Sequence, residues 1–206
     1  MGPTEQMRLG GTRTVSARVE EGATPGTRMV TFRTEAVPGT LASLAGTLTV
    51  ARLDIVSAVI QLCADGTVVD EFTVVPLEGS PIETGDGERL AALASSLFEG
   101  RRDLGAELRV LRRQYPPQVK MEPRVETHTD SALSTGVNVV CADRPGLLHD
   151  IASTLSRYRM RTRSLTVLTF GHKAHDTFRV VDAGGSPPTD ETLLAALRSE
   201  LAGVCC

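Results

Sequence analysis

One pattern of residues occurs twice in this chain of 206 residues and constrains its fold more than any other feature. Pro38-Gly39 recurs as Pro145-Gly146 after 107 residues, and Asp70-x-Phe72 recurs as Asp176-x-Phe178 after 106 residues. Self-similarity at a fixed period indicates repeated structural units. In both copies the hydrophobic pattern predicts strand, strand, helix, strand, strand and helix. The sequence therefore predicts an α+β protein built from two similar repeats.

Interruptions of this pattern predict how the chain is divided. Residues 1–11 are Gly-rich and polar, and we expect them to be disordered. The first repeat is predicted at 12–113 and the second at 124–206. The segment 114–123 contains Pro116-Pro117, which is typical of a stiff linker.

In the second repeat, residues 137–155 take a strand directly into a helix. Apolar residues alternate up to Cys141, and after Pro145 and Gly146 they follow the helical spacing. Proline suits the first turn of a helix, and glycine allows a ligand to approach closely. The free N–H groups of a helix N-terminus can bind a carboxylate or a phosphate. Asp143 beside them can receive an ammonium group, or it can serve only as a helix cap.

The run Ala142–Ile151, together with Met160–Thr169, Gly171 and Asp176-x-Phe178, resembles an ACT domain. The similarity is greatest to the tandem ACT repeats at the C-terminus of bacterial PII uridylyltransferases. It implies two ferredoxin-like repeats, each an antiparallel four-stranded sheet with two helices on one face. It also implies a regulatory module of nitrogen metabolism that binds a free amino acid, such as glutamine. The ligand-binding residues that we expect are Asp143, Arg144, Pro145, Gly146, Leu147, Leu148 and Arg161. For Arg161, a solvated surface position is the alternative.

The order of elements differs from the plain ferredoxin-like order, in which the last strand follows the second helix. Only three residues follow the last helix here, too few for a strand. In the second repeat we therefore place Arg124–Thr129, paired with Gly136–Cys141, beside the first core strand. In the first repeat Thr14–Glu20 and Gly105–Arg112 compete for this position, and the sequence leaves the choice open.

Each predicted sheet has an exposed edge at the strand that follows its first helix. An open edge tends to pair with another strand. We therefore expect the two repeats to join into one eight-stranded sheet, with the Pro-Gly loops near the boundary and a ligand site between the repeats.

The first repeat departs from the motif at the loop. Ala36 stands where the second repeat has Asp143, and Val37 stands where it has Arg144. Asp54 likewise corresponds to Arg161. This asymmetry predicts either one functional site with a scaffold copy, or a single composite site with unequal halves.

Composition argues against several classes of function. A net charge of −3 does not favour binding to nucleic acid, which needs a clustered basic surface. The chain has no signal segment and no run of 18 apolar residues, so we expect a cytoplasmic protein that does not bind membranes. The cysteines and histidines lack metal-ligand spacing, and we expect no metal and no cofactor. Cys141 is predicted to be a buried filler, and Cys205 to lie in a frayed tail.

Two hypotheses of function remain. The first is a non-catalytic regulatory protein that senses an amino acid. The second is an ACT interaction module without a ligand, which forms a homodimer or docks on a regulated enzyme. A further alternative that the resemblance implies is a detached regulatory part of a uridylyltransferase-type nitrogen sensor. An enzyme is the least favoured class, because the nucleotidyltransferase and phosphohydrolase motifs that the resemblance to a uridylyltransferase would call for are absent from these residues.

Overall fold

A computed structural model of the protein describes residues 15–35, 37–63, 66–131 and 133–206. The disorder predicted for residues 1–11, the strand start at Thr14 and the substitution at Ala36 lie outside these ranges. None of the described helices is long and apolar enough to span a membrane.

Within the described ranges the chain forms eight strands and five helices. The strands are β1 (Ser16–Glu21), β2 (Arg28–Glu35), β3 (Leu53–Leu62), β4 (Thr67–Pro76), β5 (Arg124–Ser131), β6 (Ser134–Ala142), β7 (Arg161–Phe170) and β8 (Lys173–Val181). The helices are α1 (Thr40–Val50), α2 (Gly87–Phe98), α3 (Leu104–Gln114), α4 (Leu147–Arg157) and α5 (Glu191–Val204). They form two antiparallel sheets with the orders β1-β2-β4-β3 and β5-β6-β8-β7. The predicted α+β class with two ferredoxin-like repeats is confirmed. The boundaries 12–113, 114–123 and 124–206 stay predictions.

The core lies between each sheet and its helices. In the first repeat the rings of Phe32 and Phe72 pack edge to face at 6.1 Å beneath Leu48 of α1. In the second repeat Phe178 and Leu155 are buried in the same core. Fully burying one such side chain contributes about 1.5–3 kcal/mol relative to leaving it exposed. The repeated Asp-x-Phe pattern therefore supplies one buried ring to each sheet.

The open question about the first repeat is resolved in favour of the N-terminal strand. β1 pairs with β2, with Val19 opposite Val30, and β5 pairs with β6 in the same position of the second sheet. Residues 105–112 belong to helix α3 instead, so the strand alternative for them is wrong. Asp103 caps this helix by accepting a hydrogen bond from the N–H of Ala106 at 3.0 Å. Leucines at helical spacing bury one side of α3.

The prediction of one eight-stranded sheet is wrong, because no strand ladder joins the two sheets in the described part of the chain. Edge strands β3 and β7 lie alongside each other, but in the described part of the chain no ladder joins them and two four-stranded sheets remain. Both edges carry a register shift, between Ile55 and Ser57 in β3 and between Thr162 and Ser164 in β7. Such bulges increase strand twist and interrupt the row of groups that would pair with another strand.

Helices complete the contact between the repeats. α1 packs against α4, and a ring nitrogen of His149 (Nδ1) lies 2.8 Å from the carbonyl oxygen of Ala42. Gly46 makes this close approach possible, because a Cβ there would lie 2.7 Å from Leu104 and 3.1 Å from His149. The repeats are therefore joined by packed helices and adjacent strand edges rather than by a shared ladder.

Candidate functional site

A cavity of about 240 Å³ lies between the two repeats, next to the predicted ligand loop. The first repeat contributes the start of β3 and Leu77. The end of α3 and the segment after it form a second wall, and the loop before α4 with β7 and β8 forms the third. The lining residues are Thr49, Arg52, Leu53, Asp54, Ile55, Leu77, Leu111, Tyr115, Pro116, Gln118, Asp143, Arg144, Pro145, Gly146, Leu147, Leu148, Val167, Thr169, His172, Ala174 and Asp176. The volume is below the usual range for drug-sized ligands and suits a small metabolite.

The loop at residues 143–146 is held by its own backbone. The N–H of Asp143 donates to the carbonyl oxygen of His172 at 2.9 Å, and its carboxylate accepts from the N–H of Arg144 at 2.9 Å. Gly146 takes a left-handed conformation with φ of 75° as the N-cap of α4, and no side chain caps this helix end. A helix start without a side-chain cap therefore borders the cavity beside a carboxylate, as the sequence predicted.

The side chain of Arg144 binds two groups of the second repeat. Its guanidinium donates to Asp150 at 2.6 Å and to the carbonyl oxygen of Val204, and only 10% of the side chain is exposed. Arg144 therefore ties the loop to α4 and to the end of α5. Both of these bonds come from one terminal nitrogen, and the ligand role expected of Arg144 stays a prediction.

Arg112 of α3 holds the same loop from the other side. One terminal nitrogen lies 2.8 Å from each carboxylate oxygen of Asp150, and its Nε donates to the carbonyl oxygen of Pro145 at 3.3 Å. Sequence reasoning missed this residue because it left residues 105–112 as a candidate strand. The signal was present, since Asp103 precedes leucines at positions 104, 108 and 111.

A buried pair of thiols lies beneath the loop. Cys141 ends a buried stretch of β6, and its thiol is hydrogen-bonded to that of Cys205 at the end of α5. This hydrogen bond and burial raise the pKa of Cys141, whereas the same hydrogen bond lowers the pKa of Cys205. The expectation for Cys141 is met. The frayed tail expected at Cys205 is wrong, because Val204 and Cys205 are held against the second repeat.

Three carboxylates line the cavity. Burial, followed by the charge of Asp143, raises the pKa of Asp54 from 3.8 to about 6. Burial also raises the pKa of Asp143, against the opposing effects of Arg144 and His172. Burial, followed by the charge of Asp143, also raises the pKa of Asp176 from 3.8 to about 7. Ionisation of each group is therefore disfavoured unless a cation enters.

One atom of this cluster is left without a partner. Asp176 is 2% exposed, and its Oδ1 has no hydrogen-bond partner among the described residues. Asp70, its counterpart in the first repeat, shares this property. A buried polar atom without a partner is costly. Asp176 lines the cavity, whereas Asp70 does not.

Comparisons with known proteins identify relatives of this chain among the enzymes that the sequence resembles. No protein-family model matches the chain. The bifunctional uridylyltransferase/uridylyl-removing enzyme of Gluconobacter oxydans is 34% identical over 80% of this chain and 18% of its own length. The same enzyme of Azospirillum brasilense is 30% identical over 91% of this chain and 21% of its length. The chain thus spans about a fifth of the length of these curated relatives.

The chain has the tandem ferredoxin-like ACT fold and is homologous to part of these enzymes. Among solved structures, aspartate kinase from Synechocystis gives a TM-score of 0.45 at 16% identity, covering 85% of this chain and 26% of that chain.

The ACT pair brings six of the seven predicted ligand residues to one cavity. Residues 143–148 line it, whereas Arg161 lies at the start of β7 and is not part of the lining. Asp54 and Arg161 hold equivalent positions in the two sheets, because Asp54 pairs with Val75 as Arg161 pairs with Val181. The Asp143 loop of one repeat therefore faces β3 of the other, and Asp54 occupies the place that Arg161 was expected to fill.

Residues that could suggest other chemistry have structural contacts in this ACT pair. Asp150 pairs with Arg112 and Arg144, and His175 packs its ring against Phe170 at 5.8 Å. No group of three metal-ligating side chains occurs in the part of the chain that the structure describes. The predictions of no metal and no cofactor remain predictions.

Proposed function

We propose that this ACT protein is a non-catalytic regulatory module that binds a free amino acid between its repeats. One observation carries the proposal: the cavity places the carboxylate of Asp143 beside the uncapped N-terminus of α4. A zwitterion has an ammonium for the carboxylate and a carboxylate for the helix terminus. Both ends of an amino acid can therefore be bound by one loop.

The remaining walls suit the rest of such a ligand. Leu53, Ile55 and Val167 offer apolar contact for methylene groups. The two relatives named above are uridylyltransferases, and the resemblance makes glutamine the first ligand to test. We further propose that the protein is cytoplasmic, which the free thiols of Cys141 and Cys205 support, because adjacent thiols persist in a reducing compartment.

The absence of catalysis is part of the proposal. Ser153 Oγ lies 3.5 Å from Nε2 of His149, an arrangement that resembles a nucleophile and a base. Neither residue lines the cavity, and the other ring nitrogen of His149 already contacts Ala42. The imidazole therefore serves the packing of α4 on α1.

An interaction module without a ligand is the second candidate, and exposed apolar residues favour it. Phe170 is 64% exposed, Leu168 of the same strand is 43% exposed, and Val59 of β3 is 49% exposed. Apolar side chains on neighbouring strands can pack against a second copy of the chain or against an enzyme that the module regulates.

A thermal-shift screen of the twenty amino acids, each at millimolar concentration, tests the proposal. A ligand at one hundred times its Kd should stabilise the protein by about 2.7 kcal/mol. Asp143→Ala should then weaken binding by roughly ten- to a hundredfold, since it removes a charge-assisted hydrogen bond at a shielded site.

Asp182→Ala is the matched control. Asp182 also accepts a hydrogen bond from a nearby backbone N–H, that of Ser186 at 2.9 Å, but it does not line the cavity. Binding should be unchanged in this variant. Equal affinity in wild type and Asp143→Ala would leave Asp143 only its hydrogen bond from the N–H of Arg144, without a role in ligand binding. No shift with any amino acid would favour the interaction module.

A further inference from the structure

The charge of the cavity is set by a residue that belongs to the first repeat. Asp54 lies at the start of β3 and faces the loop of the second repeat across the boundary. It is close enough to Asp143 for the two charges to interact. The equivalent position of β7 carries Arg161, so the same place in the two repeats has opposite charge.

The described basic groups that line the cavity form no ion pair with Asp54 or Asp176. Arg144 is directed to Asp150, and Arg52 donates to the carbonyl oxygen of Glu78 at 3.0 Å. Among described residues, no basic side chain offsets the effect of burial on Asp54 or Asp176, whereas Arg144 and His172 do so at Asp143. Two carboxylates therefore remain without a cation after the ligand's ammonium has met Asp143.

Asp176 supplies the second carboxylate of the cavity wall that has no cation. Its residue lines the cavity and is almost completely buried, and its Oδ1 has no hydrogen-bond partner among the described residues. A neutral side chain with an amide can donate a hydrogen bond to a carboxylate but does not compensate its charge. A cationic side chain donates and also compensates the charge of both remaining carboxylates.

We propose that the cavity selects an amino acid with a cationic side chain, and that Asp54 is the residue that makes this selection. The proposal rests on the proposed function, because it assumes that the α-ammonium and α-carboxylate groups bind at the Asp143 loop. The aliphatic part of the side chain would lie along Leu53, Ile55 and Val167, with its charged end between Asp54 and Asp176.

L-arginine and L-citrulline test this selection, because they have nearly the same shape and differ in charge. Calorimetry at pH 7.5 should give wild-type protein a roughly ten- to a hundredfold preference for arginine over citrulline. Asp54→Asn should lose most of that preference while keeping its affinity for citrulline. Arg161→Gln changes the equivalent residue outside the cavity and should leave the preference intact.

The pH dependence provides a second measurement that a purely structural role of Asp54 would not affect. The pKa of Asp54 is about 6, so lowering the pH from 7.5 to 5 protonates it. Asp143, Asp176, His172, Arg52 and Arg144 also line the cavity, and burial raises the pKa of Asp143 and Asp176 as it does that of Asp54. The preference for arginine should therefore fall with pH in wild type and fall less in Asp54→Asn.

The outcomes separate the two proposals. If citrulline or glutamine binds and arginine binds no better, the charge selection is refuted and the proposed function stands. Equal losses of arginine and citrulline affinity in Asp54→Asn, with an unchanged melting temperature, would also refute it. If no amino acid binds to wild type, both proposals fail.

Discussion

The contact between Arg112 and the Asp150 carboxylate offers a direct test of how α3 holds the candidate site. Arg112→Ala removes both hydrogen bonds to Asp150 and the donor to the carbonyl oxygen of Pro145. The side chains of Arg112 and Asp150 are 31% and 18% exposed, so solvent screens the pair only in part. Asp150 keeps its second partner, Arg144, and is not left unpaired.

These contacts set the expected magnitude. Hydrogen bonds to charged groups contribute about 1.5–3 kcal/mol, and we expect a loss in this range because one partner of Asp150 remains. For a protein of this size, each kcal/mol lowers the melting temperature by about 2–4 °C. Arg112→Ala should therefore melt roughly 3–12 °C below wild type, and Arg112→Lys should recover part of the loss because it keeps the charge without the planar fork.

Thermal and urea unfolding of wild type, Arg112→Ala, Arg112→Lys and Arg113→Ala measure the effect. Arg113→Ala alters the next residue of the same helix, which is exposed, and should remain within about 0.5 kcal/mol of wild type. If Arg112→Ala were as stable as Arg113→Ala, the bridge between α3 and the loop would contribute nothing, and our account of what positions Pro145 would be wrong.

Two further predictions concern the glycine at the helix start and a buried carboxylate. Gly146→Ala should destabilise the protein by about 1–2 kcal/mol and weaken ligand binding, because φ is 75° and a Cβ would lie 3.0 Å from Arg112 and 3.1 Å from Leu108. Gly39→Ala, with φ of 82° and no contact closer than 3.7 Å, should cost similar stability but spare binding, and equal binding losses would contradict this. Burial raises the pKa of Asp70 from 3.8 to about 7. Between these two values the folded state holds a proton that the unfolded state releases. The free energy of unfolding should therefore fall by up to roughly 4 kcal/mol as the pH rises from 4 to above 7. Urea unfolding at pH 5 and pH 8 should show a smaller difference in Asp70→Asn, and an unchanged difference would exclude Asp70 as its source.

Local patterns in the sequence predicted most of the fold. Alternating and helical spacing gave the order of the strands, and Pro145-Gly146 marked the helix start that borders the cavity. The sequence placed β5 beside β6 but left two candidates for the equivalent position of the first sheet, and only the structure identified β1 as the strand there. Residues 105–112 could not be assigned, because leucines and arginines of that segment fit either element until the cap at Asp103 is weighed.

The candidate site was harder to predict from the sequence, because its lining depends on which segments of the two repeats lie opposite each other. The motif identified residues 143–148, but the side chain of Arg144 turns to Asp150, an outcome decided by packing with α5. In the sequence, Asp54 of the first repeat corresponds to Arg161 of the second, and the comparison indicated only that the first repeat has no arginine at this position. Only the placement of β3 opposite the second loop shows that Asp54 changes the charge of that cavity.

The sharing of one cavity between two repeats also affects how such a chain can evolve. Internal duplication usually leaves a spare copy that is free to diverge, since the other copy retains the original role. Here the loop comes from one copy and the facing strand from the other, so each copy keeps a different part of the same cavity. Selection on a ligand at this cavity would act on β3 of the first repeat even after the loop of that repeat had lost its carboxylate.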